Sequence, residues 1–411
     1  MAARQGREFF AVRRVSEALE GFRPARRTGV ERIPLEQGLG RVPAEAIEAG
    51  APLPGFARAT VDGYAVRAAD TYGASEGMPT YLELSGESAM GQEPEVELRP
   101  GGAVAIATGA PVPPRADAVV KVEHTNAASE ELIEVLRPVA PGEGLVRADE
   151  DAAPGAVLAR PGRPLRAHDL GMLAAAGVTT LPACARPTVA IASTGDELVP
   201  ATTADLGAGQ VRDATATALS ALVHEAGGVP VFAGIVPDDL DALTGTLRAA
   251  LAGADVLVVS AGSSVGARDA TAAAVAALGE PGIWCHGLAL RPGKPTILAE
   301  CEGVPVIGLP GNPRSALVVF RLVGMPIVRA VGGWSEPPVE PTVRARLARD
   351  LPSSTGRLDI VQVELDGDEA VPLFGSSSLL SVLTAADGYL VVPEAATGLA
   401  AGSEVEVRLY R

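Results

Sequence analysis

The sequence predicts a multidomain α/β plus β protein built on a central open parallel-sheet α/β domain. Its 411 residues, 47% of them hydrophobic, are enough for two to four domains, each with its own core. From "ARPTVAIASTGDELV" onward, short β-like runs alternate with helical patterns: "TVAIAS", "DATATALSALVHEAG", "VPVFAGIV", "DDLDALTGTLRAALAG", "ADVLVVSAG" and "RDATAAAVAALG". Strands buried on both faces read as such continuous apolar runs, and helices of this length fit the crossovers of a parallel sheet. Further on, "TVRARLARDL", "LDIVQVELDG", "YLVVP" and "SEVEVRLYR", separated by Gly and Pro turns, read as a small C-terminal β domain.

In the first half, "FFAVRRVSEALEGF" predicts an amphipathic helix, and "YLELSGES", "GGAVAIATGAP", "DAVVKVEH" and "ELIEVLRPV" predict short strands punctuated by glycine and proline. "RPLRAHDLGMLAAAGV" is helical again. A β-rich insertion flanked by two segments of one separate module accounts for this order. The expected domains are a discontinuous linking domain over 1–54 and 142–185, a β-rich inserted domain over 55–141, the α/β domain over 186–332 and the C-terminal β domain over 333–411.

The formal charge of −16 opposes nonspecific nucleic-acid binding, so an anionic ligand has to be met by a local site. "MAARQGREFFAVRRVSEALEG" is charged throughout and lacks an apolar stretch of signal-peptide length; "SALVVFRLVGMPIVRAVGG" is broken by Arg321, Pro326 and Arg329. Neither a secreted nor a membrane-bound protein is expected, and the predicted location is cytoplasmic. Cys184, Cys285 and Cys301 form no CxxC pair and cannot all be bridged, in keeping with a reducing compartment.

In open parallel sheets, ligands bind beyond the carboxyl ends of the strands. "STGDE" follows the first predicted strand, "PDD" the second, "AGSSVG" the third and "LPGNP" a later one, so four distant clusters are expected to converge. The candidate binding residues are Ser193, Thr194, Gly195, Asp196, Gly262, Ser264, Gly266, Pro310, Gly311, Asn312 and Pro313. In "GLPGNPRSALVVF", Pro310 and Pro313 fix φ and lack N–H donors, while Gly308 and Gly311 permit unusual backbone. Such a strand-to-helix corner either aims first-turn amides and Arg314 at an anion or is a tight βα turn only.

Asp196, Glu197, Asp238 and Asp269 are hard oxygen donors suited to a Mg²⁺ ion bridging to a phosphate-bearing substrate. Asp238 and Asp269, like Asp213, each also precede a predicted helix and would serve as N-caps without any chemistry. In "RPGKPT", Arg291 and Lys294 sit beside rigid turns and suit an oxyanion or phosphate. Neither the P-loop pattern GxxxxGK[ST] nor GxGxxG occurs. The four histidines, His124, His168, His224 and His286, lie far apart and form no HExxH.

"GSSVG" at 262–266 matches G-x-S-x-G after a strand, which offers a rival: a serine hydrolase with Ser264 as nucleophile, His286 as base and Asp269 or Glu280 between them. Against it, the helix is expected to begin at Asp269, whereas a nucleophile elbow runs directly into its helix.

Taken in order, the motifs resemble the molybdopterin molybdenumtransferases, the family of bacterial MoeA and the gephyrin E domain. The strings that carry the resemblance are "VDGYAV" (61–66), "ATGAPVPPRADAVVKVE" (107–123), "STGDEL" (193–198), "PDD" (237–239), "SAGSSVGARDAT" (260–271), "RPGKP" (291–295) and "GLPGNPRSA" (308–316). They run almost end to end; "SSSLLSVLTAADGYLVVPE" matches more loosely. The resemblance implies a MogA-like α/β domain and a homodimer of elongated four-domain subunits, with an active site completed across the subunit interface. It implies insertion of molybdenum from molybdate into adenylylated molybdopterin, with Mg²⁺-dependent release of AMP.

Residue by residue, the resemblance gives catalytic positions at Asp62, Thr108, Asp151, Glu197, Asp238 and Asp269, with Glu197 and Asp238 as metal ligands and Arg291, Lys294, Thr108 and the "LPGNP" amides as anion donors. A molybdopterin adenylyltransferase and apo-molybdoenzymes are the implied partners. The chain departs from the family where Arg291 replaces lysine, Thr215 replaces asparagine, and Ala261 and Ser263 replace glycine and valine. A non-catalytic pterin-binding paralogue or a tungsten-preferring homologue are the alternatives these departures raise.

Overall fold

The computed structural model describes residues 12–262, 265–336 and 338–410. Its α/β domain contains strands β1 (Thr188–Thr194), β2 (Val229–Val236), β3 (Val256–Ser260), β4 (Pro281–His286), β5 (Ile297–Cys301) and β6 (Val304–Leu309). They form one sheet in the order β2-β1-β3-β6-β5-β4. The chain steps from β1 to β2 on one side and returns to β3 on the other, so the strand order switches at β1. The sheet is mixed rather than all parallel: β5 runs against both β6 and β4. Cys301 pairs with Val304, leaving a two-residue turn in which Glu302 (φ 51°) and Gly303 (φ 75°) both have positive φ. That is a hairpin geometry suited to the right-handed twist of the strands, and it makes the sheet mixed where a parallel one was expected.

Alternation within the central strands divides the domain into two cores. Val189 and Ile191 of β1 and Val256 and Val258 of β3 pack with Leu219 and Val223 of helix α1 (Ala214–Glu225). Ala190, Ala192, Leu257 and Val259 face the opposite way, against Leu243 and Leu247 of α2 (Leu240–Leu251) and Ala274 and Val275 of α3 (Val265–Ala276). Both faces are covered, which is why these strands read as unbroken apolar runs. The helix over Val15–Gly21 adds Val15 and Ala18 to the first core, and the Phe22 ring packs tilted against Trp284 with centroids 5.7 Å apart.

Two sequence-distant segments form the linking module. Val30–Pro34 pairs antiparallel with Thr180–Cys184, Ile47–Glu48 pairs with Val157–Ala159, and Leu173 of the helix Ala167–Ala175 is buried with Ile33, Leu35 and Leu181. Between them lies a six-stranded sheet that includes Gly63–Val66, Thr80–Ser88, Gly102–Ile106 and Ala118–Lys121.

Towards the C-terminus, Leu358–Asp366 pairs with both Glu369–Pro372 and Gly388–Val392, closing a five-stranded barrel. A sixth strand joins it from the α/β domain: Leu290 and Arg291 pair in parallel with Leu358 and Asp359. Among the described residues, no helix is long and apolar enough to cross a membrane.

Candidate active site

Register places the α/β motifs along one sheet edge. Thr194 lies beside Val236, Ser193 beside Ser260, and Ser260 beside Leu309, so "STGDE", "PDD", "SAG" and "LPGNP" all leave the sheet at the same end. β4 runs the same way as β6, and "RPGKP" follows it at that end, where His286 pairs with Ile297 and Ile297 with Gly308. The loops are tied to one another. Gly262 N–H donates to Thr194 Oγ1 at 2.9 Å, and Asp238 N–H donates to Asp196 Oδ1 at 3.1 Å.

Asp196, Glu197 and Asp238 line this edge, and all three are exposed. Partial burial of its carboxyl, then the charges of Asp196 and Glu197, raise Asp238 above the usual carboxylate value, and a hydrogen bond from Thr194 opposes the rise. Gly195 (φ 151°) lies under the Glu197 side chain: a Cβ there would stand 2.6 Å from Oε2. Ser193 and Thr194 are buried, and the Ser193 hydroxyl has no hydrogen-bond partner. Both therefore sit beneath the edge and support it rather than facing outward.

Two of the expected helix caps are placed differently. Asp213 does cap α1, accepting from Ala216 N–H at 2.9 Å, but α2 is capped by Asp239, which accepts from Ala242 N–H at 2.9 Å. Asp238, one residue earlier, has no capping role. Asp269 lies inside α3, exposed, with its charge directed at His286, where it counters the lowering of the imidazole by burial. α3 begins at Val265, not at Asp269, so the helix starts four residues earlier than expected. Ser264 itself lies outside the described residues; Gly266 is in the first turn of α3.

"RPGKP" and "LPGNP" line a cavity of about 640 Å³ between the α/β domain and the barrel. Its cations are Arg291, Lys294, Arg314 and Arg357, joined by Asn312, Ser354, Thr355 and Ser377. Buried Asp359 organises the far wall, accepting from Arg291 Nη1 at 3.3 Å, Arg357 Nε at 2.9 Å and Ser353 Oγ at 2.8 Å. Part of the "LPGNP" corner is turned towards the barrel. Pro313 has no N–H, Arg314 N–H donates to Ser377 O at 3.1 Å, and Asn312 Nδ2 donates to Ser377 Oγ at 2.9 Å. The corner is thus a joint to the barrel. Sequence reading did not find Arg357, Ser354, Thr355 or Ser377, whose only local signal is a Gly- and Ser-rich pair of turns.

Asp62 and Thr108 meet in the inserted domain. Thr108 N–H and Oγ1 donate to Asp62 Oδ1 at 2.7 and 3.0 Å, and the backbone donation first, then the hydroxyl, holds Asp62 below the usual carboxylate range. Asp151 is exposed in the linking module, where its N–H donates to Leu53 O. Among the described residues, no hydrogen bond connects these three to the α/β domain of the same chain.

Family models match the chain in three consecutive parts: the MoeA N-terminal region (domains I and II) over 12–177, a probable molybdopterin binding domain over 190–330, and the MoeA C-terminal region (domain IV) over 344–410. A relative from Mycobacterium tuberculosis named molybdopterin molybdenumtransferase 2 is 33% identical over 400 residues, 96% of each chain. The chain belongs to the MoeA family. Another relative, the molybdopterin molybdenumtransferase of Bacillus subtilis, is 33% identical over 93% of this chain and 90% of its own. A crystal structure of a molybdopterin biosynthesis MoeA protein from Pyrococcus horikoshii superposes with a TM-score of 0.83 at 31% identity, covering 97% of this chain and 100% of that one. MoeA membership over nearly the whole chain, rather than the position of α3, sets the serine-hydrolase reading aside.

Proposed function

We propose that this protein is a molybdopterin molybdenumtransferase, acting in the cytoplasm on adenylylated molybdopterin and molybdate. The observation that carries the reading is the cavity in which Arg291, Lys294, Arg314 and Arg357 converge on a chain of net charge −16. A strongly acidic protein repels an oxyanion everywhere except where cations are gathered, and guanidinium forks match tetrahedral oxyanions in geometry as well as charge. Hydroxyls of Thr355 and Ser377 supply further donors at the same wall.

The carboxylate edge complements this cavity. Among the described residues, no three of the His, Cys, Asp and Glu side chains converge tightly enough to hold an ion by themselves. Magnesium asks less: it binds through one or two carboxylates, with phosphate oxygens and water completing its shell. The repulsion that Asp238 feels from Asp196 and Glu197 is relieved by a cation, which supports Glu197 and Asp238 as its holders. Bound there, the ion would offset the pyrophosphate charge as AMP departs.

The chain's own residues then have distinct tasks. Lys294 and Arg357 bind molybdate; Asp269 orients the reacting groups beside α3, and Asp151 is a further catalytic acid, contributed by the linking module. Asp62, held ionised by Thr108, acts from the partner subunit in a homodimer, since among the described residues its own α/β domain makes no hydrogen bond to it. The dithiolene sulfurs of the pterin take up molybdenum as the adenylate bond is cleaved and AMP leaves. A molybdopterin adenylyltransferase supplies the substrate and apo-molybdoenzymes receive the product.

Purified protein with Mg²⁺ and adenylylated molybdopterin tests the reading, assayed for AMP release with and without molybdate and for reconstitution of an apo-molybdoenzyme. Molybdate-dependent AMP release with reconstitution is expected. Tight pterin binding with neither would make the protein a binding-only paralogue, and the same activity with tungstate favoured over molybdate would change the metal.

A further inference from the structure

One cation at the joint between the α/β domain and the barrel has incomplete hydrogen bonding. Arg314 lies between the larger cavity and a smaller adjoining one of about 190 Å³, which Arg291, Asp359, Gln362 and Gly375 also line. Its Nε and Nη1 are closed off from solvent and have no hydrogen-bond partner. The acid of the joint does not serve it: the oxygens of Asp359 accept from Arg291, Arg357 and Ser353. On another side the wall is bare, because Gly375 carries no side chain and even a Cβ there would stand 3.9 Å from Nη1. Burial above all draws the guanidinium below its usual value; Tyr410 opposes this and Arg291 adds to it.

A guanidinium has five donors and does not shed its proton to escape such a place. Removing it from water without acceptors is unfavourable, so its retention here calls for a ligand that the protein alone does not contain. Lys294, Arg291 and Arg357 line the same cavity, so that ligand is an anion with several acceptors.

We propose that Arg314 is a specificity-determining residue of this cavity: when a doubly charged tetrahedral oxyanion enters beside Lys294, Arg291 and Arg357, its side chain turns to meet the ligand and gains the acceptors that the protein alone does not give it. The inference rests on the cavity being the oxyanion site. It assigns to the arginine within "GLPGNPR" a role separate from the corner itself: the backbone of Arg314 holds the barrel through Ser377 while its side chain reads the ligand. A planar fork rewards an anion that offers two oxygens at once, and the cations gathered in one cavity reward a double charge, so dianionic tetrahedral anions are favoured over monoanions.

Titration calorimetry of the full-length protein with sodium molybdate and with sodium nitrate, alongside thermal melting without ligand, tests this. The variants are Arg314→Met, Arg314→Lys and, as a control on the cavity, Arg357→Met. Arg314→Met is expected to weaken molybdate binding about tenfold or more while its ligand-free melting temperature stays level or rises, because an incompletely bonded cation has been replaced by an apolar chain. Arg314→Lys keeps charge without the fork and is expected to fall between. Wild-type affinity in a folded Arg314→Met, with or without a lower melting temperature, overturns the inference and leaves the oxyanion reading intact. A wild-type protein that binds no molybdate, or an Arg357→Met that binds it unchanged, overturns that reading and the inference with it. Should Arg314→Met fail to fold, Arg314→Gln takes its place: weakened molybdate binding supports the inference, and wild-type affinity overturns it.

Discussion

Asn312 donates from Nδ2 to Ser377 Oγ at 2.9 Å, bridging 65 residues of sequence and two domains. With Arg314 N–H on the Ser377 carbonyl, it makes one serine the attachment point of the whole "LPGNP" corner. The rigid prolines therefore fix the direction in which the corner meets the barrel, and the cavity between them owes its shape to that fixed direction.

Asn312→Ala tests the joint. Removing one part-buried hydrogen bond is expected to lower stability by about 1 kcal/mol and to raise the apparent KM for molybdate, because Ser377 lines the cavity as well as holding the corner. Urea unfolding together with molybdate saturation curves checks both effects; a stability loss with unchanged KM would confine the contact to packing.

Asp359 acts through the arginines it holds. Asp359→Asn keeps the shape but removes the charge that orients Arg291 and Arg357, so KM for the oxyanion is expected to rise about tenfold or more with kcat changed much less. Ser353→Ala serves as the comparison, since it removes a neutral donor from the same carboxylate and leaves both arginines attached.

In the proposed function Asp62 and Thr108 make a separable half of the site. Because Asp62 lies at the surface of the inserted domain, Asp62→Ala is expected to fold normally while losing activity by a factor on the order of 10²–10⁴. Lys294→Ala disables the other half. Coexpressed, the two variants are expected to form mixed dimers that regain part of the activity, since one interface then contains both intact halves; mixtures as inactive as either parent would place the whole site within one chain.

Asp238 gives a pH signature. Its folded-state value is raised above 3.8, so between 3.8 and the raised value the native state holds more protons than the unfolded one. Stability therefore falls as pH rises through that window, and the deficit persists above it. Asp238→Asn is expected to melt higher than the wild type at about pH 7, with the difference shrinking towards about pH 4, as activity is lost. Melting curves at the two pH values decide this; a variant that melts lower at neutral pH would assign Asp238 a structural role.

Much of the fold was legible because the central strands are buried on both faces, and Val189–Ile191 and Val256–Val258 leave no polar interruption to confuse the pattern. The reversal at Glu302 and Gly303 was not legible: hairpins of this type usually announce themselves with Asn-Gly or Asp-Gly, and "EG" is a weak substitute. Asp238 and Asp239 are equally good caps by residue type, and only the hydrogen bond to Ala242 separates them. The near wall of the cavity could be read from "RPGKP" and "LPGNP", since rigid turns beside cations are a local signal. Its far wall could not. Arg357 and Ser377 gain their meaning from the pairing of Arg291 with Asp359, a contact across 68 residues that no spacing rule anticipates.

The strand Leu290–Arg291 belongs by sequence to the α/β domain and by hydrogen bonding to the barrel sheet. A change at Arg291 is therefore felt at once in the barrel, and one at Asp359 in the α/β domain, so neither domain can be exchanged for a homologue's without carrying the other's residues along. Chimeras between relatives should thus be cut on the amino-terminal side of β1, leaving everything after it as a single heritable block.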